Sequence, residues 1–169
     1  REEAWEFPSD PSGGTVLDLG DDDYERVSLS GGASVSFYGE SYSSFYVGSN
    51  GYITFGSGDN ENGETLSDHF NLPRISGLFD DLEPIGNVTW KQWDDRAVVT
   101  YHEVPEYSEN DPNSFQIEMF FDGMIRITYL EISANDGIAG LSEGEGTPPN
   151  FFESDLSAYG PCGPSLIIS

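Results

Sequence analysis

Apolar and polar residues alternate with a period of two along most of this chain. In Phe115-Gln116-Ile117-Glu118-Met119-Phe120-Phe121 the odd positions are apolar and Gln116 and Glu118 are polar. This places Phe115, Ile117, Met119 and Phe121 on one buried face of a strand. Asp122-Gly123 follows, and then the alternating run 124–129, in which Ile125, Ile127 and Tyr129 share a face. An Asp-Gly pair between alternating runs predicts a hairpin with a type I′ turn, which needs positive φ at both central positions. Residues 87–92 and 96–101, rich in β-branched and aromatic side chains and joined by Trp93-Asp94-Asp95, predict a second hairpin. Further short runs lie at 16–19, 24–29, 34–38, 44–47, 52–55, 75–79 and 138–141, most of them bounded by Gly, Asn, Ser or Asp. No segment carries apolar residues at i, i+3, i+4 and i+7 over three turns, so little helix is expected. About ten short strands separated by turn signals indicate an all-β fold, a two-layer antiparallel β-sandwich of jelly-roll-like kind.

The 169 residues suit a single domain spanning 1–169, with a core over 15–142. The Gly- and Pro-rich stretches 1–14 and 143–169 read as loop or linker tails. Size scaling allows about 70% of the unfolded surface to be buried, so neither a metal nor a disulfide framework is required for folding. Charge narrows the partners. Six Lys and Arg face 31 Asp and Glu, a net charge of −25, and such a surface repels nucleic acid phosphates and anionic headgroups. Nucleic acid is excluded as a partner. Membrane insertion is excluded too, because no run of about 18 apolar residues exists. The N-terminal Arg1-Glu2-Glu3-Ala4-Trp5 has no apolar signal region, so any export signal is expected to have been removed or left out. The acidic excess fits a secreted, extracellular, marine or halophilic setting, where salt or divalent cations screen self-repulsion. The single Cys162 has no Lys, Arg or His after Arg126 to activate it and reads as a free or partner-paired thiol.

Ser36-Phe37-Tyr38-Gly39-Glu40-Ser41-Tyr42 followed by Phe45-Tyr46-Val47-Gly48-Ser49-Asn50-Gly51-Tyr52-Ile53-Thr54-Phe55 resembles the nidogen-like β-sandwich modules of extracellular proteins. The resemblance continues at Leu72-Pro73-Arg74-Ile75-Ser76-Gly77-Leu78-Phe79-Asp80-Asp81-Leu82, at 98–101, at 115–117 with 123–129, and at 137–142, covering residues 35–142 in all. It implies an accessory module of a large secreted multidomain bacterial protein, non-catalytic in itself. Such modules share a scaffold more than a site. On the residues alone, Asn50-Gly51 reads as a tight turn between strands.

Catalytic patterns are sparse. His69, in Asp68-His69-Phe70-Asn71, reads as a loop residue, and His102 ends a strand. No Gly-x-Ser-x-Gly elbow accompanies them, and His102-Glu103 lacks the second His of a zinc-protease helix. A small glycoside hydrolase would need two carboxylates facing across a cleft, and nothing in the sequence points to one. Calcium needs only oxygen ligands from loops. Asp21-Asp22-Asp23, Asp59-Asn60-Glu61-Asn62 and Asp80-Asp81 with Glu83 are the candidate clusters. Asp80 and Asp81 rank first because they end an apolar strand at a sheet edge, where an unpaired charge is costly; Asp59 and Glu61 are possible loop donors. For stacking on a sugar or polymer the candidates are Trp93, Trp90, Tyr107 and Tyr42. Trp93, in an acidic turn, is expected to be the most exposed, and Trp90 to pack on a sheet face. The expectation is therefore a non-catalytic extracellular module, stabilised by Ca²⁺ and binding polysaccharide or an extracellular protein polymer, or packing on neighbouring domains of the same parent chain. A structural spacer is the alternative, and a small hydrolase the third.

Overall fold

The computed structural model describes residues 6–158 and the backbone of residues 165–168. The alternating runs form two open antiparallel sheets. One has the order β1 (Thr15–Val16), β8 (Val88–Gln92), β9 (Arg96–Pro105), β10 (Pro112–Phe120), β11 (Ile125–Glu131), β13 (Ser165–Ile168). The other has the order β12 (Ile138–Glu143), β7 (Pro73–Phe79), β6 (Tyr52–Thr54), β5 (Ser44–Gly48), β2 (Tyr24–Ser28). A separate ribbon pairs β3 (Val35–Phe37) with β4 (Glu40–Tyr42). Among the described residues helix is confined to α1 (Leu66–His69) and a 3-10 turn at Leu156–Ala158. This is the expected two-layer sandwich. Two strands were not read in the sequence, β4 and β13, and β13 falls inside a stretch read as tail. Cys162 lies outside the described residues.

The sheets pack face to face through the predicted apolar set. Phe115, Ile117 and Met119 pair with Tyr129, Ile127 and Ile125, and the first three, with Ile127, are fully buried. Phe121 lies just beyond β10, partly buried against the same core. The Tyr101 hydroxyl crosses between the sheets and donates to the Gly48 carbonyl at 2.6 Å, which meets the polar requirement of a buried phenol. The sheets lie close together at Gly77, where a Cβ would stand 2.7 Å from the Phe115 ring.

The hairpin at Asp122-Gly123 forms, but with a different turn. Gly123 has φ of +97° while Asp122 is not among the residues with positive φ. The Gly123 amide donates to the Phe120 carbonyl at 3.0 Å and the Phe120 amide to the Met124 carbonyl at 2.9 Å. This is a three-residue loop in which only the glycine needs positive φ. The pair Asp-Gly serves either geometry, so composition alone does not select between them.

Both outer faces are covered, which the alternation does not anticipate. Gln116 and Glu118 point away from the inter-sheet core yet are fully buried. Residues of the N-terminal loop cross over them: the Ser9 amide donates to Gln116 Oε1 at 3.1 Å, and Ser9 Oγ to Glu118 Oε1 at 2.6 Å. Arg126 and Arg96 supply cations to Glu118. On the opposite sheet the long β6–β7 connection lies over Tyr52, Thr54, Arg74 and Ser76, all buried.

Strand β7 carries the irregularity that shapes one end of the molecule. Both the Gly77 and Leu78 amides donate to the single Gly51 carbonyl, at 3.0 and 3.2 Å, and the register against β12 shifts between Ile138 and Gly140. This is a β-bulge, and it reverses the alternation beyond it. Leu78 joins the inter-sheet core, whereas Phe79 turns to the other face and packs edge-on against Tyr52, with ring centroids 4.7 Å apart. Asp80 then falls on the buried side.

Candidate functional site

Connections at residues 20–23, 49–51, 80–83, 106–111 and 132–137 all leave the end of the sandwich where β7 finishes. Asn50 ties several of them together. Its main-chain oxygen accepts from the Asp80 amide at 3.3 Å and its Oδ1 from the Leu82 amide at 3.0 Å. Its Nδ2 donates to Asp22 Oδ1 at 2.9 Å and to the Glu61 carbonyl at 3.1 Å. Asn50-Gly51 is thus a turn, as read, but one whose side chain is an internal brace. Gly51 has φ of +81°, and a Cβ there would meet the Leu78 oxygen at 1.7 Å. No other residue fits.

Among the described residues two groups of carboxylates result. One ligand oxygen from each of Glu64, Asp80 and Asp136 lies within 4.8 Å of the others, and the same holds for Asp21, Asp22 and Asp81. Asp80 is 4% exposed; its Oδ1 accepts from the Asp81 amide at 2.8 Å, while its buried Oδ2 has no hydrogen-bond partner. Burial, with Glu64, Asp136 and Asp81 adding repulsion, pushes the Asp80 carboxyl up to about 6. Asp81 is raised too, by burial first and then by Asp22 and Asp21. Nearby, a side-chain hydrogen bond with Asp111 raises Glu106 to about 8, with burial and the charges of Asp80, Asp111 and Asp136 acting the same way. These are carboxylates forced together by the backbone, and among the described residues no Lys or Arg pairs with the members of either group of three.

Of the residues expected to bind metal, the structure therefore brings Asp80 and Asp81 into carboxylate groups, one in each. Asp59 and Glu61 belong to neither. Asp59 Oδ2 is held 2.6 Å from Arg74 Nη2. Glu61 Oε1 accepts from the Gly63 amide at 3.1 Å, and its carbonyl accepts from the Tyr52 hydroxyl at 2.8 Å. Both fasten the covering loop. Glu64 and Asp136 were missed: they lie far apart in sequence, and only the fold of that loop and the 132–137 turn brings them to Asp80.

Arg74 is the anchor of the covering loop. Fully buried, its guanidinium lies 4.4 Å from the Tyr52 ring centroid. It donates to Asp59, to the carbonyls of Asp68 and His69, and to Asn71 Oδ1. Thr65 caps α1 by accepting from the Asp68 amide at 3.1 Å. His69 is not an open loop residue but is 2% exposed, with Nδ1 2.8 Å from Ser76 Oγ. Burial lowers it to about 4.

The aromatic candidates do not form one platform. Trp90 packs edge-on against Phe45, with centroids 6.4 Å apart, and Tyr42 lies against Phe55 at 4.8 Å. Trp93 is half-buried, with Lys91 Nζ 4.6 Å and the Arg96 guanidinium carbon 5.4 Å from its ring centroid. Tyr107 is 50% exposed and its amide donates to the Asp81 carbonyl at 2.8 Å. Trp93 and Tyr107 flank opposite ends of the ten-residue β9, roughly 30 Å apart at extended rise. Only Tyr107 stands at the acidic end, where the exposed Ile85 and Ile132 also lie.

No curated protein and no solved structure matches the chain. Among the described residues no helix is long and apolar enough to cross a membrane. Residues 2–149 match the family described as NIDO related, wider than the 35–142 of the motif resemblance, and this kinship points to an extracellular accessory module. The chain belongs to the NIDO-related family.

Proposed function

We propose that this chain is a non-catalytic accessory module of a larger secreted protein, and that it binds an extended polymer, polysaccharide or protein, through the loop end that carries Tyr107. The observation that carries this reading is the exposure of three large apolar side chains, Ile85, Tyr107 and Ile132, on loops leaving that one end. Apolar side chains presented on loops above a rigid sheet are a common means of contact with a partner. His69, sealed in the interior, is a packing residue in this reading. The spacer alternative draws support from Trp90 and Tyr42, which turn their rings to the core.

Retention on insoluble polysaccharides and on collagen separates the two. A binder is retained by at least one of them, and Tyr107→Ala weakens retention about tenfold, the scale of an interface hot spot, while the melting temperature stays within a degree or so. Trp93→Ala, at the opposite end, leaves retention unchanged. If Trp93→Ala abolishes retention and Tyr107→Ala does not, the wrong end has been chosen. If the chain is retained by none of the polymers, the spacer reading stands.

A further inference from the structure

We propose that Glu64, Asp80 and Asp136 form a calcium site beneath the loop end, a role independent of polymer binding. The fold supplies the observation that a mere acidic surface would lack. Asp80 is 4% exposed, its buried Oδ2 has no hydrogen-bond partner among the described residues, and one of its carboxylate oxygens lies within 4.8 Å of one from each of Glu64 and Asp136. A buried, unpaired carboxylate oxygen is costly unless a cation or donor reaches it. The bulge at Gly77-Leu78 creates this position, because without it Asp80 would point to the other face.

The geometry suits a single hard cation. Calcium holds oxygens at about 2.3–2.6 Å, so two ligands of one ion lie within roughly 5 Å of each other. The three ligand oxygens meet that condition, all lying within 4.8 Å of one another. All are carboxylates from three separate segments, with neither His nor Cys among them, which disfavours zinc and copper. Calcium accepts irregular arrangements of six to eight oxygens, whereas magnesium demands a near-ideal octahedron, which three loop-borne carboxylates do not preset. The carbonyls and waters that complete the shell have room on the exposed Asp136 side. Asp21, Asp22 and Asp81 are a weaker case: both Asp22 oxygens already accept, from Asn50 and Asn62 at 2.9 Å each.

Isothermal titration of CaCl₂ into protein freed of metal by EDTA, in about 0.15 M NaCl, tests this without any polymer present. The expected result is saturable binding of one ion per chain, with a Kd no weaker than roughly 1 mM, the range of extracellular modules. A melting temperature raised by Ca²⁺ and not by NaCl of equal ionic strength should accompany it. Asp136→Asn, at an exposed position, weakens binding at least tenfold, as does Glu64→Gln. Asp21→Asn leaves binding unchanged. Absence of saturable binding in the native chain overturns the proposal, and so does equal weakening by Asp21→Asn and Asp136→Asn, which would mean a diffuse ion atmosphere. Mg²⁺ binding as tightly as Ca²⁺ would overturn the identity of the ion. Failure here leaves the retention experiments untouched, so the two readings fall separately.

Discussion

Replacing Arg74 with methionine removes the anchor of the covering loop while keeping an unbranched apolar stem over Tyr52 and Phe79. Four acceptors lose a donor at once: Asp59 Oδ2 at 2.6 Å, the Asp68 carbonyl at 2.9 Å, Asn71 Oδ1 at 3.0 Å and the His69 carbonyl at 3.2 Å. Asp59, whose side chain is 18% exposed, is left without its cation. Removing one partner of a buried pair costs about 3–5 kcal/mol, and the better burial of methionine offsets about 1 kcal/mol of it. A net loss of about 2–4 kcal/mol follows, which at this chain length lowers Tm by roughly 5–15 °C. Urea unfolding followed by tryptophan fluorescence measures it, and the m value should be unchanged if the denatured state is unaffected. Arg74→Lys should recover less than half the loss, since a single ammonium cannot reach divergent acceptors as the guanidinium fork does. In an Asp59→Asn background the cost of Arg74→Met should shrink by about 1–3 kcal/mol, because the two side chains share one interaction. A loss under about 1 kcal/mol for Arg74→Met would show that the loop is held by its other contacts and that the ion pair is incidental.

Three further outcomes are expected. Ile117→Ala, at a fully buried position opposite Ile127, should cost about 2–5 kcal/mol in urea unfolding; a cost below about 1 kcal/mol would mean that residue does not face the core. His69 titrates near 4 in the folded chain and near 6.5 when unfolded. Its contribution is therefore fully present above about pH 6.5 and is lost as pH falls through 4, by at most about 3 kcal/mol. Asp80 and Glu106, raised in the fold, act with the opposite sign and are common to both proteins, so the stability difference between native chain and His69→Gln isolates the histidine; a difference independent of pH would refute the assignment. Ser9→Ala removes the hydroxyl that donates to Glu118 while leaving the backbone bonds between Ser9 and Gln116 in place, and should lower stability by about 1–2 kcal/mol, the cost of one lost buried hydrogen bond; no change in urea midpoint would show that the N-terminal loop is not seated there.

Much of the architecture was legible because its signal is local. The β10 and β11 faces follow from alternation alone, but the pairing of Phe115, Ile117 and Met119 with Tyr129, Ile127 and Ile125 does not: the two-residue turn expected at Asp122-Gly123 would set Met119 against Arg126, and it is the three-residue loop that fixes the register. The covered outer faces were not legible: Gln116 and Glu118 read as solvent-facing, and only a loop more than a hundred residues away in sequence buries them. Asp80 and Asp81 were singled out for a local reason, the end of an apolar strand, and the fold sets each of them among other carboxylates. Strict alternation from Ile75 would nevertheless have turned Asp80 outward, and the bulge that turns it inward depends on the Gly51 carbonyl meeting two amides. Asp59 looked like a loop ligand because nothing in its neighbourhood discloses Arg74 as its partner. Trp93 and Tyr107 looked alike as aromatic loop residues, and the length of β9 sets them at opposite ends.

Hydrogen exchange of the backbone, read by mass spectrometry with and without CaCl₂, tests most directly whether the acidic end is an organised site. Local opening of loops is what such exchange reports, and an ion shared by three of them should suppress it there. Protection on adding Ca²⁺ should appear in residues 59–64, 80–83 and 132–137 and be absent from the turns at 93–95 and 121–123. Protection spread evenly over both ends, or none beyond that given by NaCl of equal ionic strength, would contradict it.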